Sequence, residues 1–507
     1  MINSTISSMR RTSVQCIRTA VFRPLGAVAG RPIVGRLGSL PTVPQHRTYI
    51  SITALNASPR RNTDDPKTLP YQVYSHDSPF KFHLGGTLPA FEIAYESWGN
   101  VNEKKDNVIL LTTGLSESSH AKSHFGNRAD GWWERFIGPG LPLDTNKFHI
   151  ICTNVIGGCY GSTGPSSTDP VASKAAGKPV RYGIHFPMVT VWDMVRAQFR
   201  LLDSLGVRTV HAVVGSSMGG MQSLAAAALY PERVQRIVSI SAAARSHPYS
   251  IALRHTQRQV LMSDPNWMGG NYYEYGVIPD KGLSLARQIG IITYRSGPEW
   301  ELRFGRKRVD PKANPSLKTD FMIESYLQHQ GNKWVGTYDA NSLLFISRAI
   351  DMFDMTNRPL FDPNIDTEPI PSHEDSPSVD EEKAATNYIY THDLTEGMST
   401  IKCPVLVIGV KSDFLIPSWQ QLEIASCLKA AGNNKVSHFE IDGVFGHDTF
   451  LLDFSDVGSA VKGHLEIPFP IAPQPVGASQ KTDQPWVVSY SIPKTEINDC
   501  VFDSEES

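Results

Sequence analysis

The feature that most constrains this chain is the run VVGSSMGGMQSLAAAALYP, Val213 to Pro231. An apolar, β-branched segment passes straight into a strongly helix-forming stretch across a turn holding two serines, a methionine and three glycines. A chain that needed only to reverse direction would use a looser, more polar loop. Gly215-Ser216-Ser217-Met218-Gly219 instead fits G-x-S-x-G. In that corner the central residue is held in a strained backbone conformation, and the residues two before and two after it must be small because strand and helix nearly touch. The reading predicts a strand over 209–214, a sharp corner at Ser217 and a helix that stops at Pro231. Ser217 is then the candidate nucleophile, with the helix directing backbone N–H groups and its positive dipole end toward an oxyanion. The pentapeptide alone fits a glycine-rich β-to-α turn with a buried serine equally well, so the rest of the chain must decide.

Around this corner strands and helices alternate. FEIAYESWG alternates in polarity and closes a hairpin-like opening over 80–99, while NVILLTT (107–113) and FHIICTNV (148–155) are short apolar runs bounded by turn residues, as in buried strands. TVWDMVRAQFRLLDSLG has apolar residues at helical spacing and a glycine stop, and VQRIVSISAAA reads as another strand. The pattern predicts an α/β architecture, a mostly parallel central sheet with helices on both faces. From 245 to 354 only helical segments follow one another, which in such a fold is a helical lid inserted over the carboxyl edge of the sheet. Residues 361–398 are acidic and proline-rich and read as a surface loop. Strand and helix return in CPVLVIGVKSDFLIP, SWQQLEIASCLKAAG and KVSHFEIDGVFGHDTFLLD. The core is therefore assigned to 70–244 and 399–468, with a polar tail at 469–507.

At 507 residues the chain can bury a large core. Its 48 Lys and Arg balance 50 Asp and Glu, a net charge of −2, so no global field draws it to nucleic acid or anionic membrane, and small molecules are the expected partners. No apolar run reaches the length needed to cross a bilayer. Cys16, Cys152, Cys159, Cys403, Cys427 and Cys500 show neither C-x-x-C nor zinc-type spacing, so core filling is the expectation for those in apolar segments. Residues 1–62 hold no Asp, Glu or Lys but nine arginines spread among Ser, Thr and small apolar residues, the composition of a mitochondrial transit peptide and a matrix destination.

A serine hydroxyl needs a base to take its proton and a carboxylate to hold that base, in the chain order Ser, acid, His for a corner of this kind. Asp413 follows the strand-like VLVIGV and His447 follows HFEID, each in a short loop leaving a strand's carboxyl end. Singly, Asp413 reads as a turn or capping residue and His447 as a loop histidine. Jointly with Ser217 they read as the triad of an α/β-hydrolase fold. His120 and His124 stand at helical spacing but lack a further ligand beside them in sequence, so a structural or pocket-lining role is expected, with no metal. Gly157 to Pro165, GGCYGSTGP, lacks the lysine of a phosphate-binding loop and reads as a tight turn after a strand.

The segments AYESWGN, NVIGGCYGSTGPSS, FPMVTVWDMVRAQ, VVGSSMGGMQ, KGLSLARQIGIITYRS, YDANSLLFISRAIDMFD and FGHDTFLLD, in this order from about Tyr95 to Asp453, resemble the homoserine O-acetyltransferase family of acyl-CoA-dependent acyltransferases. The resemblance implies Ser217, Asp413 and His447 as the triad, and backbone N–H groups of Leu115 and Met218 as the oxyanion hole. It also implies Arg287 as the residue binding the amino acid's carboxylate and Asp448 as the partner of its ammonium. It implies acetyl-CoA or succinyl-CoA as co-substrate, no bound cofactor, and a homodimer paired through the lid. Where homoserine enzymes carry a segment resembling HALTGDSH, this chain has TTGLSESSHAKSH, similar to a fungal and bacterial subgroup that acylates L-serine for cysteine synthesis. Homoserine transfer in methionine synthesis, or an esterase or thioesterase using the same triad, are the alternatives this reading leaves.

Overall fold

The computed structural model describes residues 71–357 and 393–468. The basic segment 1–62, most of the acidic loop and the tail 469–507 lie outside the described residues.

Among the described residues eight strands form the main sheet, numbered here β1 (Gln72–His76), β2 (Phe91–Trp98), β3 (Val108–Thr112), β4 (His149–Thr153), β5 (Ala212–Ser216), β6 (Ile237–Ile240), β7 (Val405–Val410) and β8 (Val436–Ile441). Their order is β1-β2-β4-β3-β5-β6-β7-β8. β2 runs antiparallel to both of its neighbours, and every pair from β4 to β8 is parallel. The mostly parallel sheet predicted from the alternation of elements is present. The nucleophile strand starts at Ala212, three residues later than the pattern suggested, because Val210 makes only an isolated bridge to Val234.

The strands that the apolar runs foretold are buried on both faces. Within β3, Val108 and Leu110 join one apolar cluster, while Ile109 and Leu111 join another on the opposite face, as a period-2 strand between two layers requires. The first layer is covered by helices α1 (Val191–Ser204), α2 (Met218–Leu229) and α7 (Ser418–Ala430); α8 (Phe454–Glu466) covers the second. Helix α1 starts where Thr190 and Asp193 form a reciprocal capping box that satisfies two otherwise orphaned N–H groups.

Between β6 and β7 the chain forms α3 (Pro248–Met262), α4 (Asp280–Tyr294), α5 (Met322–Val335) and α6 (Ala340–Asp351), with no strand of the main sheet among them. The two ends of this helical insert are clasped side by side by an antiparallel bridge between Arg245 and Asp354. Two buried guanidiniums converge on one carboxylate within it: Arg254 Nε lies 2.6 Å from Asp351 Oδ1 and Arg258 Nη2 2.5 Å from Asp351 Oδ2, tying α3 to α6.

The acidic segment 361–398 differs at its end from the surface loop expected. Residues 393–397 are helical, and Leu394 and Met398 belong to the main core. Their i, i+4 spacing puts two large apolar groups on one helical face, and that face is buried.

Candidate functional site

The corner at Ser217 has φ 55° and ψ −122°, a sparsely populated region for a residue with a side chain. Its neighbours explain how the strain is held. A Cβ on Gly215 would overlap the Gly219 carbonyl and the Thr112 hydroxyl, and one on Gly219 would overlap the Thr112 carbonyl. That same Thr112 hydroxyl donates to the Gly219 carbonyl at 2.8 Å, fastening β3 to the first turn of α2. The Ser217 N–H donates to the Ile240 carbonyl at 2.8 Å. From Ala212 to Tyr230 every residue is buried except Ser217. The corner therefore lifts one hydroxyl-bearing residue out of an otherwise closed layer.

That residue opens into a cavity of about 300 Å³ roofed by the helical insert, which His447, Leu115, Arg287, Asp448 and Glu117 also line. The loops after β7 and β8 carry the other two members of the predicted set. Asp413 Oδ1 accepts the Ile416 N–H at 2.9 Å, and its Oδ2 lies 2.6 Å from His447 Nδ1. Both side chains are withdrawn from solvent. A carboxylate at Nδ1 keeps the proton there, so Nε2 is the acceptor face of the ring. Nε2 is buried and, among the described residues, has no hydrogen-bond partner. Burial disfavours the imidazolium, but the charge and hydrogen bond of Asp413, with Asp448 and Glu117 behind them, outweigh it and raise the His447 pKa above the ordinary histidine range.

The loop after β3, which carries Leu115, is held from two sides. Gln222 of α2, itself bonded to Gln198 of α1 at 2.7 Å, donates to the Thr113 carbonyl at 2.8 Å, and Tyr338 of the insert donates its hydroxyl to the Leu115 carbonyl at 2.6 Å. Leu115 and Ser217 line the same cavity, with Met218 buried directly behind the serine at the start of α2. A loop backbone and a helix N-terminus beside a serine hydroxyl are the components of an oxyanion hole.

Arg287 stands on α4 with its guanidinium 5.1 Å from the Trp334 ring centroid and 5.5 Å from that of Tyr294. Among the described residues it makes no ion pair. A flat cation stacked on aromatic faces with its edge free is suited to gripping a carboxylate with two parallel bonds. Asp448 is placed differently from a free anion: Arg295 Nη2 stands 3.4 Å from its Oδ2, and Arg295 also pairs with Glu299. Burial pushes the Asp448 carboxyl up to about 6 against the opposing pull of Arg295, His447 and Arg287.

His120 and His124 lie outside this cavity. They flank a carboxylate that their sequence neighbourhood does not contain: His120 Nδ1 and His124 Nε2 both lie 2.8 Å from Oε2 of the buried Glu96 on β2. These three groups are close enough to ligate one ion. His124 Nδ1, however, accepts the Gly126 N–H, so its Nε2 carries the proton given to Glu96, and a metal at Nε2 would have to break that arrangement. Both histidines tie the loop after β3 to β2 through Glu96. Sequence reading missed Glu117, because nothing in GLSESS separates a cavity carboxylate from a solvated one. It missed Glu96 because the pairing crosses from a strand to a later loop.

A strained serine corner, a buried Asp–His pair whose histidine lines the same cavity and a helical roof on a mostly parallel sheet define the α/β-hydrolase class of protein. A family model described as alpha/beta hydrolase fold matches residues 107–452. The chain is 54% identical over 428 residues to a serine O-succinyltransferase of Emericella nidulans, covering 78% of this chain and 81% of that one. It is 40% identical over 384 residues to a homoserine O-acetyltransferase of Moorella thermoacetica, covering 75% and 92%. A crystal structure of an esterase superposes with a TM-score of 0.64 at 26% identity, covering 78% of this chain and 99% of the esterase. The chain belongs to the α/β-hydrolase-fold acyltransferase family that contains the serine O-succinyltransferases and homoserine O-acetyltransferases.

Proposed function

We propose that this protein transfers an acyl group, succinyl in preference to acetyl, from acyl-CoA to the hydroxyl of L-serine through an acyl-enzyme on Ser217, in the service of cysteine synthesis. The observation that carries the mechanism is the pairing of Asp413 with His447 Nδ1, which leaves Nε2 as a base over the cavity into which Ser217 opens. His447 takes the Ser217 proton as Oγ bonds to the thioester carbonyl carbon. Backbone N–H groups of Leu115 and Met218 hold the developing oxyanion. The C–S bond then breaks and CoA leaves as thiol with the proton from His447. L-Serine enters with its carboxylate on Arg287, and its hydroxyl gives a proton to His447 Nε2 while attacking the acyl carbon. O-acyl-L-serine departs, and Ser217 recovers the proton. Holding the acceptor hydroxyl in place is what favours transfer over hydrolysis. Acyl-CoA is a co-substrate here, and no metal or prosthetic group has a step to perform.

The serine acceptor and succinyl donor are supported by the 54% identity to an enzyme named for both, against 40% for a homoserine O-acetyltransferase. A matrix destination is supported by the acid-free, arginine-bearing segment 1–62. Fractionation of cells expressing the full chain tests that part, and a homodimer, expected from the family, is read by light scattering. Assay of the purified protein with L-serine and L-homoserine, each against succinyl-CoA and acetyl-CoA, tests the activity. The expected result is O-succinyl-L-serine as main product and a covalent succinyl adduct on the wild type that Ser217→Ala lacks. Acid release without acyl-amino acid would make the protein an esterase or thioesterase.

A further inference from the structure

We infer that the basic segment 303–318 of the helical insert receives the phosphates of the donor's CoA moiety; this rests on the acyltransferase reading of the cavity. The cavity holds about 300 Å³, the low end of what encloses a drug-sized ligand, and the thioester, the acyl chain and the amino acid must share it. The phosphate-bearing nucleotide end of CoA therefore stays outside. A polyanion held at the rim of a cavity needs cations there that the protein has not already spent.

Residues 303–318 carry six cations, Arg303, Arg306, Lys307, Arg308, Lys312 and Lys318, against one acid, Asp310, in a chain whose net charge is −2. Arg308 is used internally: its Nη2 lies 2.7 Å from Asp320 Oδ1, and an antiparallel bridge between Arg308 and Phe321 closes the base of the loop. Among the described residues the other five make no ion pair, and all five are exposed. Their position ties them to the site. The Arg303 guanidinium stands 4.5 Å from the ring centroid of Tyr326 on α5, and Tyr326 is a wall of the cavity. Arg306 lies 5.7 Å from the ring of Phe321, the N-cap of α5. The run of unspent cations thus starts against the cavity wall. An arginine laid on an aromatic face keeps its N–H edge for two oxygens of one phosphate, and the lysines add point charges that repel one another until an anion arrives.

The test compares succinyl-CoA with S-succinyl-pantetheine, which keeps the thioester and the pantetheine arm but lacks the nucleotide and its phosphates. Steady-state rates with L-serine are measured for the wild type, Arg303→Gln, Arg303→Lys, the double variant Arg306→Gln/Lys307→Gln, and Lys429→Gln, which removes an exposed cation in the last turn of α7. The wild type should show a kcat/KM for succinyl-CoA roughly 10- to 100-fold above that for the truncated thioester, the range of a charge-assisted hydrogen bond. That ratio should fall several-fold in Arg303→Gln and in the double variant, through a raised KM for succinyl-CoA with kcat held, the mark of binding used equally in ground and transition states. Arg303→Lys, which keeps the charge, should retain part of it. Lys429→Gln should leave the ratio unchanged, and added salt should shrink it in the wild type. A wild-type ratio near one, a ratio that survives in both glutamine variants of the segment, or one that Lys429→Gln lowers as far overturns the inference. The acyltransferase reading fails on a separate measurement, the absence of any acyl adduct on the wild type after incubation with either thioester.

Discussion

Asp413 Oδ2 sits 2.6 Å from His447 Nδ1 across 34 residues of chain, each residue in the loop at the carboxyl end of an adjacent parallel strand. The contact fixes one tautomer of the ring and one direction for its free nitrogen. Parallel pairing makes the meeting possible, because strands that run the same way present their exit loops at the same edge.

Replacing Asp413 with asparagine should keep the fold and cost about 10³–10⁴ in kcat, the penalty for losing the correct imidazole tautomer. The pH profile carries a further sign. Since Asp413 helps to raise the His447 pKa, acyl transfer by the wild type should fall as pH drops through a value above the ordinary 6.5. In Asp413→Asn the acidic limb should move to lower pH. For stability the raised pKa acts in the other direction: the contribution is fully present below the unfolded value near 6.5 and is lost as pH rises through the folded one. A pH–rate profile for both proteins checks the first pair of statements, and an unmoved acidic limb would contradict the assigned cause.

Gly215→Ala places a methyl group against the backbone of Gly219 and the hydroxyl of Thr112, neither of which is the free end of a flexible side chain. Relief requires β5 and α2 to separate at the point where Ser217 is held at φ 55°. We expect a loss of about 2–3 kcal/mol and a larger proportional loss of acylation, because the serine moves with the backbone. Denaturant midpoints and the rate of acyl-adduct formation read the two effects separately. An alanine variant with wild-type values for both would mean the corner has slack that the geometry does not contain.

The sheet, the corner and the Asp413–His447 pair were legible because each rests on short-range rules: apolar runs of strand length, glycines at fixed offsets from Ser217, and an acid and a histidine just beyond strand ends. The helical insert was legible from the lack of alternating strands over 245–354. Glu117 was not, since its burial depends on a roof of helices more than a hundred residues further on. Neither was the capture of Asp448 by Arg295, a contact between the insert and the histidine loop. Leu394 and Met398 were hidden by the acidic, proline-rich composition on their N-terminal side, which suggested solvent where two apolar groups in fact close the core.

Asp351 tests how firmly the roof is built. Its carboxylate is shared by Arg254 and Arg258, and all three groups are almost fully buried. Asp351→Ala removes the one anion and strands two guanidiniums, for which about 3–5 kcal/mol is the usual cost of breaking a buried pair. Arg254 also lines the cavity, so the KM for the acceptor should rise along with the loss of stability. Asp351→Leu, which fills the space but pairs with nothing, should be no better than alanine. Equal stability of either variant with wild type would show that water or another acid reaches the two arginines.

The last prediction concerns Asp448, whose carboxyl is held up to about 6 by burial despite Arg295 beside it. A folded pKa above the unfolded value near 3.9 means that the fold prefers the protonated form. Its stabilising contribution is complete below about pH 4 and is lost as pH rises through about 6. In Asp448→Asn that dependence disappears. The stability of wild type relative to the variant should therefore fall between about pH 4 and 6, by an amount on the order of 3 kcal/mol, and stay flat at higher pH. Chemical denaturation at half-unit steps of pH resolves the curve. A relative stability that instead rises over this interval would mean the ion pair with Arg295 dominates and holds the carboxyl below its ordinary value.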